Sequence, residues 1–529
     1  MDCHESCVVT TDSTMLMPDW LARRAAISPS HPALLVGRAC WSFAELDHWA
    51  TEMAHRLAAT GVRSGDRVAL LLRNSAEFVA LVHAAPRIGV VLVPLNTRLA
   101  APELAWQLAD VGARLLLHDA HHRAAARTVQ RMVSGLPVAA VGCEVPSVGN
   151  GSLAPGTPAR RATPTPDSRI DLSAVHMIIY TSGTTGRPKG AMLTYGNHWW
   201  SAIGSALNLG HHHDDRWLAV LPLFHVGGLA ILMRSVIYGI PAVVHETFDP
   251  AAANRAIDED GVTIVSVVSA MLQRMLDERG ECPYRATLRC VLLGGGPAPK
   301  PLLDACAQRG IPVAQTYGLT ETASQVATLS PADALRKLGS AGKPLLPTEL
   351  RIDQDGAPAP PGEVGEILVR GPTVTIGYVN RPDETARAIR DGWLHTGDQG
   401  YLDSEGYLYV VDRRDDLIIS GGENVYPAEV EAILLAHPAI EEAGVVGVTD
   451  TRWGQVPVAA VKVRPGQQLS FAELLAFCTE RLVRYKVPAR VWFVDELPRN
   501  AAGKLLRRLL KEQTSAHVTG SEALACRRG

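Results

Sequence analysis

A chain of 529 residues is longer than one hydrophobic core serves, so two or more domains are expected. With 51 Lys and Arg against 54 Asp and Glu, the net charge is only -3, which excludes the basic excess that a nucleic-acid or anionic-membrane partner requires. The nine cysteines are scattered without a CxxC pair, which excludes a disulfide framework and a zinc ribbon and points to a reducing, cytoplasmic setting. No apolar run reaches the 18 residues of a membrane span, and the acidic N-terminus has no apolar core of a signal peptide.

In chain order, Ser42 to Ala59 reads as a helix. Ser42 and Glu45 form a capping box, Phe43, Leu46, Met53 and Leu57 recur on one face, and Gly61 can end it. Apolar runs at Arg67 to Leu72 and Val90 to Leu95 flank a helical Ser75 to Ile88. The theme returns at Val262 to Val268, Arg289 to Leu293 and Pro312 to Gln315. Strands alternating with helices predict an α/β fold with parallel, doubly wound sheets. Residues 144–171, rich in Pro, Gly, Ser and Thr, read as a surface connection into a strand from Val175 to Tyr180. The charges of Asp412 to Asp416 interrupt two apolar runs and predict a boundary between a domain of residues 1–412 and one of 413–529. Thr514 to Gly529 lacks periodicity and reads as a disordered tail.

The stretch Tyr180 to Gly190, YTSGTTGRPKG, carries the chemistry. The hydroxyls of Thr181, Ser182, Thr184 and Thr185, the backbone around Gly183 and Gly186, and the Lys189 ammonium can all donate to polyphosphate oxygens. Two residues separate Gly186 from Lys189 and Gly190 follows, so the spacing is not that of a P-loop. His211 to His213 with Asp214 and Asp215 form a solvated loop rather than a metal site, because adjacent side chains diverge.

Further motifs follow in order: LPLFHVGGL from Leu221, LLGGGPAP from Leu292, QTYGLTET from Gln315, GWLHTGD from Gly392, DRRDDLIISGGENVYPAE from Asp412 and PRNAAGKLLR from Pro498. Together with the phosphate loop, this set resembles the acyl-adenylate-forming superfamily of acyl-CoA synthetases, peptide-synthetase adenylation domains and luciferases, from about Trp20 to Leu510. The resemblance implies a large N-terminal domain, a smaller mobile α+β C-terminal domain, and ATP, Mg2+ and coenzyme A as cofactor and co-substrates. It places Thr320 and Glu321 at the α-phosphate and the metal, and Tyr317 on adenine beside Gly294, Gly295 and Gly296. Asp398 and Arg413 fall at the ribose. On residues alone Tyr317 also reads as a core aromatic and Asp398 as part of a turn. The resemblance further makes Lys504 the mobile catalytic lysine and Asp415 the hinge. Ser420, Gly421 and Gly422 then line a CoA channel, and His225 is the gate between the acid and CoA.

Stretches less widely shared, among them GNHWWSAIGSALNLG, RSVIYG and KLGSAGKPL, are similar to the branch of that superfamily that activates 2-succinylbenzoate for menaquinone synthesis. That substrate keeps one carboxylate ionised, so a pocket cation is expected; Arg234, set among Ile231, Leu232, Met233, Val236 and Ile237, is the candidate, unless it snorkels to the surface. Ser266 and Ser269 are candidates for the same acyl pocket. A medium-chain or aryl carboxylate-CoA ligase, and a non-catalytic ligand-binding relative, remain alternatives. A homo-oligomer is compatible with the sequence.

Overall fold

Apolar runs too short to cross a sheet twice, separated by amphipathic segments of 10 to 13 residues, fold between residues 67 and 140 as parallel strands joined by crossover helices. The computed structural model describes residues 15–141, 169–181, 188–295, 298, 300–354, 356–412, 418–425, 427–498 and 507–518. In the first sheet, Val175–Thr181, Val91–Pro94, Arg67–Leu71, Leu115–His118 and Val138–Ala140 lie side by side in parallel, with Val68 opposite both Leu92 and Leu115. Lys189–Thr194 adds an antiparallel edge to Val175–Thr181 and sets Lys189 opposite Thr181.

The second sheet has nine strands. Its six central ones, Val313–Leu319, Cys290–Gly294, Ile264–Val268, Trp217–Ala219, Ala242–Val244 and Pro32–Val36, are parallel, and antiparallel strands close both edges. Between these two sheets the largest core packs Phe43, Leu46, Met53 and Leu57 of the helix Phe43–Ala59. Ser42 caps that helix and forms the expected box with Glu45; Thr60 is the C-cap and Gly61 follows at φ +85°.

A third, antiparallel sheet is built around Trp393–Leu402 and Gly365–Arg370. The chain leaves it at Asp412 and enters a fourth sheet at Ile418, where Gly454–Val463 pairs with Ile440–Asp450 and Arg490–Phe493. That sheet and the helices Pro427–Leu435 and Phe471–Thr479 surround a separate core of Ile418, Val430, Leu434, Val445 and Leu474. A large α/β portion is thus followed by a smaller α+β one.

Two expectations need correction. The tail does not begin at Thr514: the helix Arg507–Val518 continues through it, with Thr514 buried and its hydroxyl donating to the Leu510 carbonyl at 2.5 Å. The connection of residues 144–171 does not stay irregular to its end, because Arg169–Asp171 forms a strand against Leu16–Pro18. No helix among the described residues is long and apolar enough to cross a membrane.

Candidate active site

Parallel sheets collect the C-terminal ends of their strands, and loops leaving those ends converge on one crevice. Here the crevice is a cavity of about 760 Å³ that reaches from Lys189 and Glu321 at one side to Arg234 and Ser266 at another, with Gly421 and Gly422 of the C-terminal portion closing it.

On the phosphate-loop side, Thr181 Oγ1 donates to Glu321 Oε1 at 3.4 Å, and the Tyr378 hydroxyl donates to the same oxygen at 2.9 Å. Glu321 occupies the short 3-10 turn Thr320–Thr322. The turn is followed by Ala323 and Ser324 at φ +51° and +108°, a region in which non-glycine residues are strained. Lys189 pairs with Glu384 at 2.6 Å above the Tyr378 ring. Thr181, Lys189, Thr320 and Glu321, distant in sequence, therefore share one wall. Ser182 to Gly186 lie outside the described residues.

Gly294 and Gly295 line the next section, where a Cβ on Gly294 would come within 3.2 Å of Thr316 Cγ2 and Gly295 has φ +82°. Gly296 lies outside the described residues. Asp398 faces the cavity from the third sheet and accepts a 2.7 Å hydrogen bond from the Tyr317 hydroxyl. The Tyr317 ring itself packs with Val326, Ile352 and Leu394, while its neighbours Thr316 and Gly318 line the cavity. In this arrangement Tyr317 buttresses Asp398, and its ring belongs to the core. Arg413 lies outside the described residues.

Arg234 is 1% exposed, yet it lines the cavity from the helix Val226–Tyr238. Its Nη2 donates to Ser201 Oγ at 3.4 Å, and Ser201 in turn donates to the Ala323 carbonyl at 2.6 Å. The guanidinium carbon lies 5.2 Å from the centre of the Trp217 ring. No acidic residue pairs with Arg234 among the described residues, and its Nε is buried without an acceptor. Burial draws its pKa down from the usual arginine value. Arg234 therefore does not snorkel to the surface. Ser266 lines the same cavity and accepts from Trp217 Nε1 at 2.9 Å. Ser269 is not on the strand of Ser266: that strand ends at Val268, and Ser269 starts the helix Ser269–Arg279 and is not among the residues that line the cavity, although Val268 and Met271 are.

The C-terminal portion reaches the cavity through the hairpin of Ile418–Ser420 and Glu423–Val425. Gly421 and Gly422, at φ +60° and +85°, make the two-residue turn that only such left-handed residues permit, and Ser420 is buried behind it. A Cβ on Gly422 would come within 3.1 Å of Val268, so the turn sits directly against the second sheet. Glu423 pairs with Arg98 and, at 3.3 Å, with His225 Nε2, the N-cap residue of the arginine-bearing helix. Burial pushes the Glu423 carboxyl up, but the His225 hydrogen bond and the charges of His225, Arg98 and Lys486 outweigh it and hold it below the usual carboxylate range. Asn96 donates to the Tyr485 hydroxyl at 3.0 Å, and Lys486 pairs with Glu103 at 3.4 Å, extending the same interface. Asp415 and Lys504 lie outside the described residues.

Sequence reasoning missed Glu423, Arg98, Tyr378, Glu384, Trp217 and Ser201. Glu423 stands inside the GGEN motif already singled out, and only its ion pairs reveal its part; the other five carry no local pattern.

The profile of the AMP-binding enzymes matches residues 21–379, and that of the AMP-binding enzyme C-terminal domain matches residues 429–504. This chain belongs to the AMP-binding enzyme family. A 2-succinylbenzoate--CoA ligase of Geobacillus kaustophilus is 57% identical over 495 residues, covering 94% of this chain and 97% of that protein. Two solved structures of the Bacillus subtilis o-succinylbenzoate CoA synthetase cover 94% of this family member. The double mutant bound to the product analogue OSB-NCoA is 44% identical, is covered over 99% of its own chain and superposes with a TM-score of 0.86. The complex with ATP and magnesium ion is 45% identical, is covered over its full length and superposes with a TM-score of 0.71.

Proposed function

We propose that this enzyme joins 2-succinylbenzoate to coenzyme A, with ATP becoming AMP and pyrophosphate, in menaquinone biosynthesis. The observation that carries the substrate is Arg234: a buried cation with no anionic partner among the described residues, opening onto the cavity. A buried unpaired charge is costly, and the ring carboxylate of 2-succinylbenzoate would supply its counter-ion. An unbranched or simple aryl monocarboxylate would leave it unpaired.

The reaction runs in two halves. In the first, the succinyl carboxylate attacks the α-phosphorus and pyrophosphate leaves. Charge accumulates on phosphoryl oxygens, and Lys189, Thr181 and Thr320 on one wall, joined by Lys504, answer it. Glu321, a single carboxylate steadied by two hydroxyls, fits a magnesium ion that takes its other ligands from phosphate and water. That ion would neutralise charge on the phosphates. Asp398 offers two acceptor oxygens to the ribose diol. In the second half, the CoA sulfur attacks the acyl carbonyl and AMP leaves.

The domains of residues 1–412 and 413–529 turn about Asp415 between the halves, exchanging Lys504 for the turn of Gly421 and Gly422. The docked Glu423 hairpin and the better superposition on the product-analogue complex support the thioester-forming arrangement for this structure. The five described cysteines are free thiols, which supports a cytoplasmic location.

The test is CoA-thioester formation from 2-succinylbenzoate, benzoate, 4-hydroxybenzoate, octanoate and palmitate by the wild type and Arg234→Ala. Preference for 2-succinylbenzoate that collapses in the variant is the expected result. Preference for a monocarboxylate would leave adenylation standing and remove the substrate assignment.

A further inference from the structure

Lys189 carries the ammonium that the phosphate loop offers to polyphosphate, yet that ammonium already has an anion beside it. Its Nζ lies 2.6 Å from Glu384 Oε2, and the two side chains are only 15% and 20% exposed. Both residues line the cavity, and the Tyr378 ring centre lies 5.3 Å from the same Nζ. The Glu384 oxygen is buried without an aligned hydrogen bond, so charge and proximity hold the pair rather than direction. An ammonium on a flexible stem gives an attraction of that kind to a phosphate oxygen as readily as to a carboxylate. A phosphate oxygen that shares the ammonium with Glu384 is drawn next to the carboxylate, where like charges repel. Lys189 therefore serves one anion at the expense of the other.

Glu384 has a second cation to turn to. Arg381 is the N-cap residue of the helix Pro382–Ala388, and its Nε lies 3.7 Å from Glu384 Oε1. Arg381 is anchored in turn by Asp110 at 2.5 Å, and Asp110 accepts from the Tyr180 hydroxyl at 2.8 Å at the root of the phosphate loop. A carboxylate released by Lys189 keeps a fixed cation beside it, so the release does not leave an uncompensated buried charge.

We propose, on the reading above that sets polyphosphate against Lys189, that Glu384 acts through Lys189 to limit how tightly the site holds polyphosphate. The carboxylate competes with the outer phosphates for one ammonium, and so weakens ATP and pyrophosphate alike. An apparent dissociation constant rises in inverse proportion to the fraction of the protein that is competent to bind, here the fraction in which Lys189 is free of Glu384. Adenylation leaves pyrophosphate where the outer phosphates of ATP were, and a carboxylate ready to reclaim the lysine favours its departure. AMP, which has neither outer phosphate, escapes the competition.

The test is calorimetric binding of ATP, pyrophosphate and AMP, each with magnesium, to the wild type, Glu384→Gln, Lys189→Ala and the double variant. Glu384→Gln keeps the shape and removes the charge. It should tighten ATP and pyrophosphate about fivefold, the effect of removing one partly exposed ion pair, and leave AMP within about twofold. In the Lys189→Ala background the same substitution should tighten both polyphosphates by less than about twofold, because the carboxylate has lost the residue it acts through. Equal tightening in both backgrounds would overturn the proposal, since the carboxylate would then repel the phosphates directly. Weaker ATP binding in Glu384→Gln would overturn it as well, making the carboxylate a support for Lys189, and so would equal tightening of AMP. Lys189→Ala that binds ATP and pyrophosphate as the wild type does would remove the placement of polyphosphate on Lys189, and the role of Glu384 with it.

Discussion

His225 Nε2 donates to Glu423 Oε2 at 3.3 Å, joining the helix that bears Arg234 to the hairpin of the C-terminal portion. The direction follows from the Glu423 carboxyl, which is held ionised and can only accept. Because Arg98 grips the other oxygen, one buried carboxylate ties two N-terminal segments to the docked turn of Gly421 and Gly422. Glu423→Gln keeps the shape and removes the charge. It should slow thioester formation from supplied acyl-adenylate about tenfold while leaving ATP–pyrophosphate exchange within about twofold, a difference of some 1.4 kcal/mol in one half-reaction. The pH dependence has a fixed sign: a depressed carboxyl contributes fully above its unfolded value near 4.5, and the contribution is lost as pH falls through the lower folded value. Equal loss of both half-reactions would count against a docking role.

Tyr378 has a second, separable part to play. Its hydroxyl donates to Glu321 Oε1 at 2.9 Å, and its ring lies under Lys189. Tyr378→Phe keeps the ring and removes the hydroxyl. The magnesium concentration for half-maximal adenylation should rise about threefold, since one hydrogen bond that orients the proposed metal ligand Glu321 is lost. KM for CoA should not move, and titration of magnesium in pyrophosphate exchange reads the effect.

How legible the site was depends on whether a residue's role is local. Lys189, Glu321 and Gly421-Gly422 work through loops whose composition is itself unusual, and their placement on the cavity followed the motifs. Arg234 was visible as a charge inside an apolar segment, and Ser266 as a hydroxyl on an apolar strand. Arg98 and Tyr378 were invisible, because their roles come from partners 325 and 57 residues away that only the folded chain supplies. Ser269 falls just past the apolar run of Val262 to Val268, which ends where the strand ends, and it opens the following helix. The antiparallel third sheet was equally hidden, since its ten-residue strand Trp393–Leu402 mixes polar residues and two glycines into its sequence and so shows no apolar run.

Acid stability should be set by a buried histidine group behind the acyl pocket. His176 stacks on Tyr195 with ring centres 4.4 Å apart and meets His198 edge-on at 5.2 Å. Burial lowers His83 to about 3 and His198 to about 4, and holds His176 well below 6.5. The unfolded chain therefore binds protons near pH 6.5 that the native fold refuses. Stability is complete above that value and is lost as pH falls from 6.5 toward 4, by about 1.4 kcal/mol per pH unit for each histidine. Urea midpoints measured at pH 7.5, 6 and 5 should show the decline. His83→Asn should reduce its slope by about a third, since one of three coupled proton uptakes is removed. A slope unchanged in that variant would place the titration elsewhere.

Under the proposed two-step reading, Lys504 is the complement to Glu423. The two belong to the same C-terminal segment, whose docked hairpin joins Glu423 to His225. If the segment alternates between two faces, Lys504→Ala should cut pyrophosphate exchange by about a thousandfold, the range for removing a charge that acts on a developing phosphoryl anion. Thioester formation from supplied acyl-adenylate should stay within about threefold of the wild type, because that step does not use the lysine. The two variants would then fail in opposite half-reactions. The double variant Lys504→Ala with Glu423→Gln should show each loss undiminished, as independent sites require. Loss of both steps in Lys504→Ala alone would mean that a single arrangement serves the whole reaction, and the turn about Asp415 would have to be abandoned.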